Sequence, residues 1–150
     1  MTHVNTTMLT QIADDVCHTM LGVALTSANC DAPDGTRWVA TVRISGEYTA
    51  FVEIETDRAV AQRMACRMFS LNPHELSEED LRDAIGEVAN MIGGNVKGVL
   101  SAECNLSIPC VEVRDFFPAD QAEGIAVSLS CEGSPFLIRF VTGHTTTLAT

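Results

Sequence analysis

Between residues 77 and 98 apolar residues recur every three or four positions. With an advance of about 100° per residue, Leu81, Ile85, Val88, Ile92 and Val96 form one stripe. Asp83, Glu87, Asn90, Gly94 and Lys97 fall on the opposite side. The spacing predicts an amphipathic helix over 77–98. Ser77 caps it, with Asp80 three residues on and Glu78 and Glu79 in the first turn, where the helix dipole favours acids. Its glycines, Gly86, Gly93, Gly94 and Gly98, each cost about 1 kcal/mol relative to alanine. They are expected where another backbone or a partner molecule comes close. A second stripe, Leu9, Ile12, Val16, Met20 and Val23, predicts a helix over 6–23. Ala59 to Phe69 reads as a short helix, ended by Asn72-Pro73.

Elsewhere the period drops to two. Trp38–Ile44 and Tyr48–Glu55 alternate around Ser45-Gly46-Glu47 and predict a hairpin. Asp31, Pro33, Asp34 and Gly35 mark the loop before it. Leu106 to Val113 is extended, with Pro109 at an edge or bend, and Asp115 to Gly124 is a loop. Ile125–Cys131 and Phe136–Val141 form a second hairpin around Glu132-Gly133-Ser134-Pro135, with Thr142 to Thr150 frayed or an edge strand. Helix then hairpin thus occurs twice. Sliding the second helix back by 72 residues lays Asp83, Glu87, Asn90 and Gly94 over Gln11, Asp15, His18 and Gly22. The expected fold class is α/β, of the α+β type. It is a single pseudo-twofold, two-layer domain over 1–150, with an antiparallel sheet of about five or six strands and the two long helices on one face.

Composition narrows the function. A net charge of −11, with nine scattered Lys and Arg, argues against nucleic acid or an anionic membrane surface as partner. With 46% hydrophobic and 19% charged residues the chain is not disordered. It has no apolar run long enough to span a bilayer and no basic patch followed by an apolar run at its start, so a cytoplasmic location is expected. The six cysteines form no CxxC pair and no histidine lies at zinc spacing; free buried thiols and no metal site are expected. Trp38 is expected in the core, and the scattered histidines show no catalytic constellation.

Glu87 and Asn90 lie one turn apart, so their side chains are neighbours. Glu87 offers a charge for a lysine, and Asn90 a donor and an acceptor on a short stem. An amide cannot act as a general base, so the pair suits holding a water against an electrophile. Alone, so short a pattern describes an ordinary solvated helix face. His18, at the position matching Asn90, reads as a surface histidine.

The longer run Asp83-Ala-Ile-Gly-Glu87-Val-Ala-Asn90-Met-Ile-Gly-Gly-Asn-Val-Lys97-Gly resembles the signature helix of the CheC/CheX-type phosphatases of bacterial chemotaxis. Asn105-Leu-Ser-Ile-Pro109 resembles the segment that carries that family's proline, with a shorter interval after Asn90 than the family's usual one. One motif-bearing helix rather than two resembles the CheX branch. The resemblance implies dephosphorylation of the aspartyl-phosphate on a CheY-type response regulator. Asn90 would orient the attacking water and Glu87 would pair with the receiver's lysine. Asp83, Gly86, Gly94 and Lys97 would lie in the contact, the glycines letting the helix approach the receiver. No cofactor of its own is implied, since Mg²⁺ belongs to the receiver. A homodimer through sheet edges is also expected. Two readings stay open beside it: a receiver-binding adaptor without catalysis, and a structural domain whose glycines serve internal packing.

Overall fold

The stripe of Leu81, Ile85, Val88, Ile92 and Val96 is fully buried along one side of helix α3, Glu78–Val99. The Ser77–Asp80 capping box starts it: the Asp80 amide donates to Ser77 Oγ at 3.2 Å, and the Ser77 amide to Asp80 Oδ2 at 2.9 Å. A computed structural model describes residues 4–27, 36–47, 49–100, 103–115 and 124–142. Its other helices are α1, Thr6–Leu21, and α2, Arg58–Phe69, capped by Asn5 and Asp57. The strands are β1 (Leu25–Ser27), β2 (Thr36–Gly46), β3 (Ala50–Thr56), β4 (Cys104–Leu106), β5 (Cys110–Asp115), β6 (Ile125–Cys131) and β7 (Ser134–Thr142).

All seven strands join one antiparallel sheet in the order β1-β6-β7-β3-β2, with β4 and β5 end to end along the outer side of β2. The helices pack on one face, over Trp38, Ala40, Val42, Ile44, Val52, Ile54, Phe136 and Ile138. The expected pseudo-twofold plan is present, with its axis between β3 and β7, where Ile54 faces Ile138. Each half is a helix, an edge strand and a hairpin. Each edge strand crosses over: β1 pairs with the second half's β6, and β4–β5 with the first half's β2. This exchange has no local signature in the chain.

Several boundaries differ from the expectation. Among the described residues the sheet has seven strands rather than five or six, because the segment after α1 forms β1 and the 106–113 segment is broken in two. α1 stops at Leu21 instead of 23, where Gly22 takes a left-handed cap. Met20, expected in the core stripe, is 45% exposed; the last turn of α1 carries it past the edge of the packing. Ser45 and Gly46 continue β2 instead of turning. Gly46 permits this, since a Cβ there would meet Glu103 O at 2.6 Å. The second hairpin turns at Glu132-Gly133 alone, with φ 51° and 91°, and Ser134-Pro135 already belong to β7. Asp115 and Thr142, expected in the loop 115–124 and the tail 142–150, end β5 and β7; 116–123 and 143–150, the loop at 31–35, and Cys30, Tyr48, His3 and His144 lie outside the described residues.

Among the described residues five cysteines are free; Cys17, Cys104 and Cys131 are buried, Cys66 is half-buried and Cys110 exposed. Burial pushes the Cys17 thiol up to about 12, with Cys131 and Asp14 adding to the effect.

The sheet's other face carries charge at depth. Arg37 and Glu55 are 2% and 5% exposed and form an ion pair. Arg139 Nη1 donates to Glu55 Oε1 at 2.9 Å and to Glu53 Oε2 at 2.8 Å. Burial works against the Arg139 charge, but its bonds to Glu55 and Glu53 outweigh that and raise its pKa.

Candidate functional site

α3 turns three sides to three neighbours. The apolar stripe faces the sheet. A second side runs against the edge segment, where a Cβ on Gly93 would stand 2.5 Å from Val42 Cγ2 and 3.3 Å from Leu106 Cδ1. One on Gly86 would stand 3.4 Å from Val111 Cγ2 and 3.5 Å from Pro109 Cβ. Arg82 ties the same side down, with Nη1 donating to Val111 O at 3.0 Å and its guanidinium 5.8 Å from the centre of the Trp38 ring. Trp38 itself is in the core, as expected.

The third side faces solvent. Asp83 and Glu87 are exposed, and Asn90, Gly94 and Lys97 half-exposed. The structure therefore brings the predicted polar residues onto one ridge. Among the described residues neither the Glu87 nor the Asn90 side chain has a hydrogen-bond or ion-pair partner. Two glycines correct the sequence reading. Gly86 and Gly93 are buried against this chain's own strands, so the close approach they allow is internal. Gly94 has only Leu106 Cδ2 at 4.0 Å from its added Cβ, and Gly98 has nothing near. Gly93→Ala is expected to cost about 1–3 kcal/mol through its clash with the stiff Val42, less up to about 1 kcal/mol of regained helix propensity. Gly98→Ala should instead stabilise by up to about 1 kcal/mol. Urea unfolding of the two variants decides this: equal stabilities would refute the packing account.

Ser107-Ile108-Pro109 bridges β4 and β5. Ser107 replaces the missing ladder: its Oγ accepts from the Arg43 amide at 2.9 Å, and its amide donates to Arg43 O at 2.9 Å. Pro109 lands beside Gly86, within a turn of Glu87, even with the short interval from Asn90. An open groove follows α3 here. Arg82, Asp83, Gly86 and Glu87 run along it, Pro109 and Val111 stand on the edge side, and Met20, Met68 and Phe69 come from the ends of α1 and α2. These apolar flanks were absent from the sequence reading. On α1, Asp15 and His18 are exposed as the shift of 72 residues requires, and Gln11 Nε2 donates to Asp15 Oδ1 at 2.9 Å. Among the described residues no group of three or more His, Cys, Asp or Glu side chains could hold a metal ion.

A family model described as Chemotaxis phosphatase CheX matches residues 38–123, more than half of the chain. The chain belongs to the CheX family. The CheX fold recurs in solved structures. A CheX from Desulfovibrio desulfuricans shares 20% identity and a TM-score of 0.71, covering 90% of this chain and 96% of that one. CheX from Vibrio vulnificus gives 18%, 0.69, 90% and 93%. The CheX-CheY-BeF3-Mg²⁺ complex from Borrelia burgdorferi gives 16%, 0.66, 95% and 100%. At such identities these likenesses speak for the fold. No curated protein matches the chain by sequence. Among the described residues no helix of this CheX-family protein is long and apolar enough to cross a membrane.

Proposed function

We propose that this chain hydrolyses the aspartyl-phosphate of a CheY-type receiver domain. The carrying observation is the solvent-facing, unpartnered Glu87–Asn90 pair on a helix pinned beside Pro109. Membership of a family described as chemotaxis phosphatase supports it, as does the likeness to a CheX bound to CheY with BeF3 and Mg²⁺. Phosphoryl transfer asks little covalent chemistry of a protein, so positioning is the main contribution. Asn90 would hold a water by its amide, in line with the bond to be broken. Water adds to phosphorus, the bond to the aspartate oxygen breaks, and the receiver regains its carboxylate. Inorganic phosphate leaves, with the water's proton passed to it or to solvent. Glu87 would take the receiver's active-site lysine as partner, with Asp83, Gly94 and Lys97 at the rim. When bound on the receiver, Mg²⁺ supplies charge neutralisation at the phosphoryl oxygens. This activity belongs to the cytoplasm in our reading. The sheet edges β1 and β4–β5 are where a second copy would pair into a homodimer.

The experiment follows phosphate release from purified phospho-receivers of the same cell with Mg²⁺ present. The chain is expected to accelerate release from one of them. Glu87→Ala should lower kcat/KM about 30-fold or more, since truncating one partner of a desolvated charge pair costs about 2 kcal/mol or more. Binding of a receiver with no acceleration would replace this reading by the adaptor one.

A further inference from the structure

Among the described residues four large apolar side chains are exposed: Met20, Phe69, Ile108 and Val113. Ile108 is the extreme case at 87%. The backbone that presents it is held on both sides. Before it, Ser107 makes two hydrogen bonds to Arg43, and its hydroxyl donates to Ile108 O at 3.0 Å. After it, Pro109 packs on Gly86. Leu106 sits at the level of Gly93 and Pro109 at that of Gly86, so the backbone of Ile108 lies level with the stretch of α3 that carries Glu87 and Asn90. Met20 and Phe69 stand along the same groove, on the α1–α2 side. A polar pair between two apolar shoulders has the make-up of a protein interface, in which a few anchors dominate the affinity.

Charge points the same way. The chain carries −11, and an aspartyl-phosphate is also negatively charged. The Glu87–lysine pair is the one charge attraction in the proposed contact, so apolar contact must supply the rest of the affinity. We infer that the receiver docks on these two shoulders, with Ile108 as the anchor filling an apolar recess beside its phosphorylated aspartate. This rests on the proposed function and adds a division of labour: Ile108 sets affinity, and Asn90 sets the rate of the bound complex.

The test uses the receiver on which the wild-type chain acts fastest, both phosphorylated and activated with beryllofluoride and Mg²⁺. Ile108→Ala should raise KM about tenfold, and Ile108→Asp further, with kcat within about twofold of wild type. The dissociation constant for the beryllofluoride form should rise in parallel, and Ile108→Leu should restore it. Thermal unfolding should not change, because the side chain is exposed. If the Ile108 variants match wild type in KM and binding while Asn90→Ala loses kcat, the docking inference fails and the proposed function stands. If Ile108→Ala lowers kcat with KM unmoved, Ile108 acts on the chemistry and the inference is overturned. If the wild-type chain neither binds nor dephosphorylates any receiver, both fall together.

Discussion

Asn90→Ala is expected to lower kcat for receiver dephosphorylation about 100-fold while leaving binding of the beryllofluoride-activated receiver intact. The size follows from what the residue is asked to do. A water held in line and a water free to reorient differ by about two orders of magnitude in rate. Asn90 is half-exposed and bonded to no other described side chain, so its removal should shift stability by only about 0.5 kcal/mol. Because an amide does not titrate in the working range, the wild-type pH profile should contain no step that vanishes in the variant. Asn90→Asp should be worse than alanine: it sets a second carboxylate one turn from Glu87, facing the negatively charged phosphoryl group. Stopped-flow phosphate release and calorimetric binding separate the two quantities. Equal kcat for wild type and Asn90→Ala would remove Asn90 from the mechanism.

The largest effect on stability is expected far from that ridge. Glu55→Gln withdraws the carboxylate shared by Arg37 and Arg139 on the far face of the sheet. Truncating one member of a buried ion pair typically costs about 3–5 kcal/mol, because the remaining charge keeps its desolvation cost without its partner. For a chain of this size that corresponds to a fall in Tm of about 10 °C. Arg37→Met with Glu55→Leu should recover most of the loss, since the deeply buried pair is then removed together and Arg139 keeps Glu53 as its partner. Scanning calorimetry at neutral pH measures both. A Glu55→Gln variant within about 1 kcal/mol of wild type would show that water reaches this cluster.

Legibility in the sequence followed the length and regularity of each pattern. α3 declared its boundaries, its buried stripe and its polar ridge, because five apolar residues at helical spacing and a capping box all agree. The ridge residues Asp83, Glu87 and Asn90 face solvent as the periodicity requires. β1 was illegible because three residues hold no period. Ser45-Gly46 has turn chemistry, yet a neighbouring backbone 60 residues away makes it strand. Glu53 and Glu55 alternate like a solvent face, and only the pairing of β3 with β2 and β7 places arginines over them. Of the α3 glycines, Gly86 and Gly93 do mark close contact while Gly94 and Gly98 do not; that the contact is internal needed the position of Val42, Leu106 and Pro109.

The exchange of edge strands between halves also orders events in time. Arg43 meets Ser107 across 64 residues of chain, and β1 reaches β6 across some hundred. Such distant closures are slow, because the entropy of a long loop is lost before any contact is gained. α3 itself can wind early, from local signals. The ledge of Ser107, Ile108 and Pro109 beside it forms only when the second half of the chain lays its strand on the first. A ribosome that has not yet passed that strand holds a helix with Glu87 and Asn90 in place but no ledge. The ability to meet a partner is thus among the last things this chain acquires as it is made.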